Sequence, residues 1–426
     1  MRKVHLISLG CPKNQVDSEK LLSRLSAYGI LYSADPVEAG IILVNTCGFI
    51  GAAKEESINE ILNAAALKSG PGRKKLVVYG CLAKRYGAEL LREIPEIDAL
   101  WGVAEDEAIA DYCRGILGKI SGSGEADTFH DKPYAYLKIG EGCDRGCSYC
   151  VIPDIRGSYR STEPDQVLSA AEEYLKSGMK ELIVVAQDIT SYGKDLRGYD
   201  LPRLIKEIAA IHGDFRIRLL YLYPTAITDT LLETIASTDK VCNYIDMPLQ
   251  HTEKNILRLM GRGGSRTFFE NLVKRIREII PDIALRTTVI AGFPQETEDD
   301  FDKMLASIRR MKFDRLGTFT YSKEPGTPAA ALKGQIPKRI RQSRYERLME
   351  AQAPIALQKN RELVGRSFRA LVDDTDGVIA VARLYSQAPE IDGVVILRDT
   401  VVSKGDFVNV LITRAGDYDL EGIVIR

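Results

Sequence analysis

The sequence predicts an α/β protein in three parts: an N-terminal parallel α/β sheet domain, a central partial (β/α) barrel and a small all-β barrel at the C-terminus. Three observations predict it. Residues 1–120 alternate short apolar runs with amphipathic helical stretches. Six further apolar runs, separated by helix-length segments, follow residue 133. From about residue 363 the helical period stops and short alternating strands with turn signals take over.

In the first segment "VHLISL", "IILVN" and "KLVVYG" read as strands, "SEKLLSRLSAYG" and "KEESINEILNAAALKSG" as helices. A cysteine follows each strand within a few residues: Cys11, Cys47 and Cys81. The strand ends of an open parallel sheet converge on one edge, where ligands bind, so cysteines distant in sequence can meet there. Taken singly, each is more readily a buried thiol than a ligand. "SGSGEADTFHDKP" (121–133) is small, polar and proline-terminated, and reads as a linker.

The barrel, 134–362, contributes "YAYLKI", "ELIVVA", "RIRLLYL", "NYIDMPL", "ALRTTVIAG" and "RLGTFTY". Chemistry in such barrels sits at the C-terminal strand ends. There, directly after the first strand, stands "EGCDRGCSYC" with Cys143, Cys147 and Cys150. Residues 336–360 read as a charged helix interrupted at Pro354. The last segment, 363–426, carries turns such as "DDTDG" and "EIDG" and fits a small barrel of the oligonucleotide-binding type.

Composition narrows the classes. With 45% hydrophobic and 27% charged residues the chain is an ordinary globular one, and 58 basic against 59 acidic residues give no nucleic-acid signature. No apolar run approaches the ~20 residues of a membrane span, and "MRKVHLISLGCPKN" lacks a signal peptide's apolar core, so a cytoplasmic location is expected. In a reducing compartment eight cysteines point to metal or catalysis rather than disulfides. Only four histidines are present, which argues against a histidine-rich zinc site.

The triplet poses a question of valence. Structural zinc takes four ligands, and iron–sulfur clusters normally take four thiolates. Three cysteines leave one iron open to an exogenous ligand. Cys242 has no motif around it and, like Cys113, reads as a plain buried cysteine. "CDRGCSYC", with Tyr149 just before the last cysteine, resembles the signature of the radical S-adenosylmethionine enzymes. The resemblance implies a [4Fe–4S] cluster on Cys143, Cys147 and Cys150, with S-adenosyl-L-methionine chelating the fourth iron. It further places Gln187 and Asp188 of "VVAQDIT" near the methionine moiety. In "RTTVIAGFPQE" it sets Ile290 and Gly292 near the adenine and Arg286 on the carboxylate. Ile290 is equally a core residue by default, whereas a charge inside a strand, as at Arg286, needs a partner.

The whole order of segments is similar to the methylthiotransferases within that superfamily, whose C-terminal barrel is a TRAM domain. This resemblance implies a second [4Fe–4S] cluster on Cys11, Cys47 and Cys81, a sulfide or other sulfur donor, and a reducing electron donor. The family divides between enzymes of a tRNA adenosine and those of an aspartate β-carbon in protein S-twelve of the small ribosomal subunit. "SLGCPKN", "QDITSYG", "RLLYLYP", "MPLQH", "FTYSKEPGTPA" and "APEIDG" resemble the ribosomal-protein branch. Charge points the same way. From Arg361 to Arg426 eight basic residues face eleven acidic ones, the wrong sign for direct nucleic-acid binding. Asp373, Asp374, Asp376, Glu390 and Asp392 are expected as a partner-binding surface for a cationic protein. Thr162 and Glu163 depart from the Arg-Pro usual at this point of the family. Two alternatives stay open: a tRNA adenosine methylthiotransferase, and a non-catalytic iron–sulfur or zinc protein of redox or binding function.

Overall fold

The computed structural model describes residues 3–69, 74–118, 129 and 131–425. The chain forms two compact units: Met1–Asp131 with Cys150–Gly157 and Ser322–Gly326, and Lys132–Tyr149 with Ser158–Tyr321 and Thr327–Arg426. Most of the expected linker, 121–128 and 130, lies outside the described residues.

The first unit is a five-stranded sheet: β1 (Lys3–Ser8), β2 (Leu31–Tyr32), β3 (Ala39–Thr46), β4 (Lys75–Gly80) and β5 (Ala99–Leu100). All pairings are parallel and the order is β2-β1-β3-β4-β5. Alternate residues of β3 feed two cores. Ile41 and Leu43 pack with Leu21 and Ile109, from the helices Pro12–Ala27 and Asp106–Leu117. Ile42 and Val44 pack with Ile61 and Leu82, from the helices Gly51–Ala66 and Cys81–Glu93. Burial on both faces is why "IILV" is continuously apolar rather than alternating. The winding direction reverses between β1 and β3, which puts the ligand crevice of this topology at their carboxyl ends.

The second unit begins with β6 (Tyr134–Lys138) and a short ribbon of β7 (Gly140–Glu141) and β8 (Arg160–Ser161). The strands β9 (Glu181–Val185), β10 (Arg216–Leu219), β11 (Tyr244–Asp246), β12 (Ala284–Ala291) and β13 (Arg315–Thr320) follow. They form two parallel sheets, β10-β9-β6 and β11-β12-β13, linked by a bridge between Ile217 and Val241. The result is an open barrel of six parallel strands in chain order. Its long closing helix, Lys338–Arg361, runs through Pro354 without interruption. The proline and Glu350, whose carbonyl loses its helical donor, are both solvent-exposed. The buried stripe Arg344, Leu348, Ala351, Gln352, Ala356 and Asn360 continues past it. Packing on that stripe outweighs a local cost of about 3 kcal/mol.

The C-terminal segment closes into a barrel of β14 (Ser367–Thr375), β15 (Ile379–Arg383), β16 (Val395–Arg398), β17 (Phe407–Ala415) and β18 (Leu420–Ile425), in the order β14-β15-β16-β18-β17. Register shifts at Val372/Asp374 and Ile412/Arg414 supply the bends that closure needs. It seats on the N-terminal ends of the six-stranded barrel. Glu181, the first residue of β9, is fully buried and paired with Arg216 (2.8 Å), Arg218 (2.6 Å) and Arg383 (2.7 Å).

Candidate metal centres and cofactor site

In the first unit the three dispersed cysteines follow neighbouring strands. Cys11 caps the helix Pro12–Ala27 after β1, Cys47 follows β3, and Cys81 opens the helix Cys81–Glu93 after β4. Close approach of these turns depends on glycine. A Cβ on Gly10 (φ +91°) would lie 2.7 Å from Cys47 Cβ and 3.0 Å from its Sγ. One on Gly80 (φ +102°) would meet Asn45 Oδ1 at 2.5 Å. Burial pushes the Cys47 thiol up to about 11, and the nearby Cys11 and Cys81 add to the shift. Burial likewise raises Cys81, partly offset by the charge of Arg156. Such thiols stay protonated until a metal displaces the proton. Cys11, Cys47 and Cys81 thus stand on short turns at neighbouring strand ends, and thiols are the side chains an iron–sulfur cluster takes.

The segment Cys150–Gly157 belongs to this unit. Its Val151 and Ile155 pack with Cys81 and Phe49. Arg156 is buried, and its Nη2 donates to Asn14 Oδ1 (2.7 Å) and Cys81 Sγ (3.6 Å), while Nη1 bonds Asp17 (3.1 Å).

In the second unit Cys143 and Cys147 lie on the loop after β6 and β7, at the carboxyl end of the barrel. Arg145, between them, donates to Asp188 (2.6 Å) and to the hydroxyls of Thr190 and Ser191. Ser148 is held by its N–H to Met260 O (2.9 Å) and its hydroxyl to Leu259 O (2.7 Å). Gly261, at φ +68°, lets that loop approach, since a Cβ there would lie 2.7 Å from Gly146 O. Arg262 Nη1 donates to Cys147 Sγ at 3.5 Å. Among the described residues, no three Cys, His, Asp or Glu side chains close on one point as a mononuclear ion would require.

The expected cofactor contacts divide. Tyr149 meets Phe293 edge-on (6.2 Å) in an apolar cluster that includes Ile290 and Tyr321. Gly292 (φ +74°) is crossed by Arg341, whose Cγ would stand 2.2 Å from any Cβ there. Gln187 donates to Glu141 (2.8 Å), and its buried Oε1 has no hydrogen-bond partner among the described residues. Asp188 braces the cysteine loop through Arg145. Arg286 is held by Asp246 (2.9 Å) and Asp392 (3.6 Å), so its charge is already met inside the barrel.

The acidic surface divides as well. Asp373 is buried on Arg383, and the Asp392 carboxylate accepts from Tyr244 (2.7 Å) beside Arg286. Glu390 accepts from the hydroxyls of Tyr134 (2.9 Å) and Tyr136 (3.3 Å). "APEIDG" thus turns toward the barrel floor, where tyrosine hydroxyls and a strand arginine need acceptors. Asp374, paired with Lys132, and Asp376 remain exposed.

Sequence reasoning passed over Asn14, Arg145, Arg156, Arg262 and Glu296. The last accepts the N–H groups of Gly292 (2.9 Å) and Phe293 (3.1 Å) and pairs with Arg344 (2.9 Å). For the four charged residues the one signal is a charge in a glycine-bearing motif, as in "DIRG", "GRGG" and "GFPQE", and the uncharged Asn14 lacks it.

Comparison with known proteins follows the same three parts. The "Uncharacterized protein family UPF0004" matches residues 3–102, the "Radical SAM superfamily" 137–308 and the "TRAM domain" 364–425. Over 428 residues, covering all of both chains, this sequence is 50% identical to the ribosomal protein uS12 methylthiotransferase RimO of Thermodesulfovibrio yellowstonii. The chain belongs to the ribosomal protein uS12 methylthiotransferase family. Another of these methylthiotransferases, from Acetivibrio thermocellus, is 44% identical over 448 residues and is matched over 99% of its length. Among solved structures the fold resembles the radical S-adenosylmethionine methyltransferase TsrM of Kitasatospora setae. The TM-score is 0.57 at 13% identity, over 89% of this chain and 80% of that one.

Proposed function

We propose that this chain is a radical S-adenosylmethionine methylthiotransferase that places a methylthio group on the β-carbon of an aspartate in ribosomal protein uS12. Cys143, Cys147 and Cys150 would hold one [4Fe–4S] cluster and Cys11, Cys47 and Cys81 a second. Bound together with S-adenosylmethionine, these groups supply reductive sulfonium cleavage, hydrogen abstraction and a sulfur to be transferred. The protein's share is placement. Arg145 and Asp188 fix the first cysteine loop, and Glu296 holds the Gly292–Phe293 backbone in position. The hydrophobic cluster of Tyr149, Phe293 and Tyr321 keeps water from the carboxyl end of β12.

The observation that carries the reading is the set of three thiols at the carboxyl ends of β1, β3 and β4. A radical alone removes hydrogen; sulfur insertion needs a second site to present sulfur, and a three-thiol set with one open iron fits that need.

The test is anaerobic reconstitution with iron and sulfide, then incubation with reductant, S-adenosylmethionine and either the uS12 peptide or tRNA. Mass spectrometry should find the methylthio group on the peptide aspartate. A modified adenosine would transfer the chemistry to tRNA, and no deoxyadenosine at all would leave a non-catalytic metalloprotein.

A further inference from the structure

Two arginines, one in each unit, aim an N–H at a cysteine sulfur. Arg262 Nη1 reaches Cys147 Sγ (3.5 Å), its Nη2 bonds Pro248 O (2.7 Å), and its plane lies 4.4 Å from the Tyr223 ring centre. Among the described residues no carboxylate stands within ion-pair distance of this guanidinium. A charge withdrawn from water normally faces an anion. The sulfur of Cys147 is neutral as a free thiol and anionic as a metal ligand, so the arrangement is complete only when the cysteine is metallated. Arg156 repeats the pattern at Cys81 (3.6 Å), with one difference: Asp17, at 3.1 Å, offsets part of its charge.

We propose that Arg262 and Arg156 are matched N–H donors to the thiolates of the two clusters, each raising the reduction potential of the cluster its cysteine binds. The inference rests on the reading that both cysteine trios hold clusters. Reduction adds negative charge to iron and sulfur, and a fixed cation donating to a ligand sulfur stabilises the reduced form more than the oxidised one. The uncompensated Arg262 therefore has the larger effect. Neither arginine needs to touch substrate; both act through a ligand sulfur as positioning and tuning residues.

The test is a redox titration followed by electron paramagnetic resonance on the reconstituted full chain, comparing R262Q and R156Q with the parent. R262Q should lower the midpoint of the cluster on Cys143, Cys147 and Cys150 and leave the other in place. R156Q should lower only the other, and by less. Growth of the unsubstituted protein on arginine labelled with ¹⁵N in its guanidinium adds a measurement that survives any variant's failure to load or fold. Pulsed resonance should then show ¹⁵N coupling to both reduced clusters. Unmoved midpoints, a variant that shifts both clusters alike, or no ¹⁵N coupling would overturn the inference while the two-cluster reading stands. Iron for a single cluster would overturn that reading itself, and with it the half of the inference that concerns Arg156.

Discussion

At the scale of single residues the triplet Cys143, Cys147 and Cys150 stands out by its spacing, since closely spaced thiolates are the usual ligands of an iron–sulfur cluster. Cys11, Cys47 and Cys81 have no such spacing: each alone reads as a buried thiol, and only their shared strand-end position and the family resemblance set them apart. If each trio holds a cluster as proposed, substitution should separate their duties. Cys147→Ala should abolish deoxyadenosine formation, whereas Cys47→Ala should preserve it and end sulfur insertion; chromatographic assay of deoxyadenosine beside mass spectrometry of the peptide reads both. Full product from Cys47→Ala would remove the second cluster from the account. Glu296 and His251 were invisible by comparison, since neither sits in a recognisable spacing and burial defines them. Burial lifts the Glu296 carboxyl to about 7 and depresses the His251 imidazole to about 3. The signs oppose. A histidine lowered in the fold adds stability as pH rises from about 3 to its ordinary 6.5, and a glutamate raised in the fold removes stability from its ordinary 4.5 to about 7. Urea melts should show stability climbing from pH 3 to about 4.5 and then flattening. In Glu296→Gln the climb should continue to about pH 6.5.

At the scale of elements, strand periodicity found the parallel sheet and the six barrel strands, since apolar runs with both faces covered are hard to mistake. Partners across elements were not legible. "APEIDG" is polar and turn-like, and nothing local says that its acids face tyrosines and an arginine rather than water. The same blindness applies to Glu181. Burial alone would push its carboxyl up, and Arg216, Arg218 and Arg383 together more than offset that, holding it well below the usual carboxylate range. Above that range the ionised group contributes its full stabilisation, which is lost only as pH falls through the depressed value. Glu181→Gln leaves three buried guanidiniums without their shared carboxylate, and should cost about 3–5 kcal/mol in chemical denaturation. Because Arg383 comes from the C-terminal barrel and Arg216 and Arg218 from β10, that loss should also loosen the seat between the two barrels. Hydrogen exchange should rise at β15 and β10 together; exchange rising at β10 alone would show that the seat does not depend on Glu181.

At the scale of the whole molecule, net charge near zero hides a local asymmetry that bears on substrate choice. The excess of acid in the C-terminal barrel was legible in composition, but its geometry was not. Asp373, Glu390 and Asp392 serve the fold, although Glu390 stays exposed, and Asp374, Asp376, Asp399, Asp406, Asp417 and Asp419 are exposed as well. Asp376 in turn caps the backbone N–H groups of Val378 and Ile379, so its removal would disturb the β14–β15 turn itself. Attraction of a basic ribosomal protein can be tested through Asp417 and through Asp374, whose Lys132 partner is exposed and whose bond from the Thr375 N–H an asparagine can also accept. Fluorescence anisotropy with a labelled basic uS12 peptide should show weaker binding for the double variant Asp374→Asn, Asp417→Asn. The gap should close as ionic strength rises past roughly 0.5 M, where screening shortens the reach of exposed charges to a few ångströms. Asp373→Asn should do the reverse, lowering the melting temperature through Arg383 and leaving peptide affinity unchanged at temperatures where the chain stays folded. A phosphate backbone would respond with the opposite sign: if neutralising Asp374 and Asp417 tightened tRNA binding and left the peptide unmoved, the acidic face would be a brake on nucleic acid rather than a dock for a cationic protein.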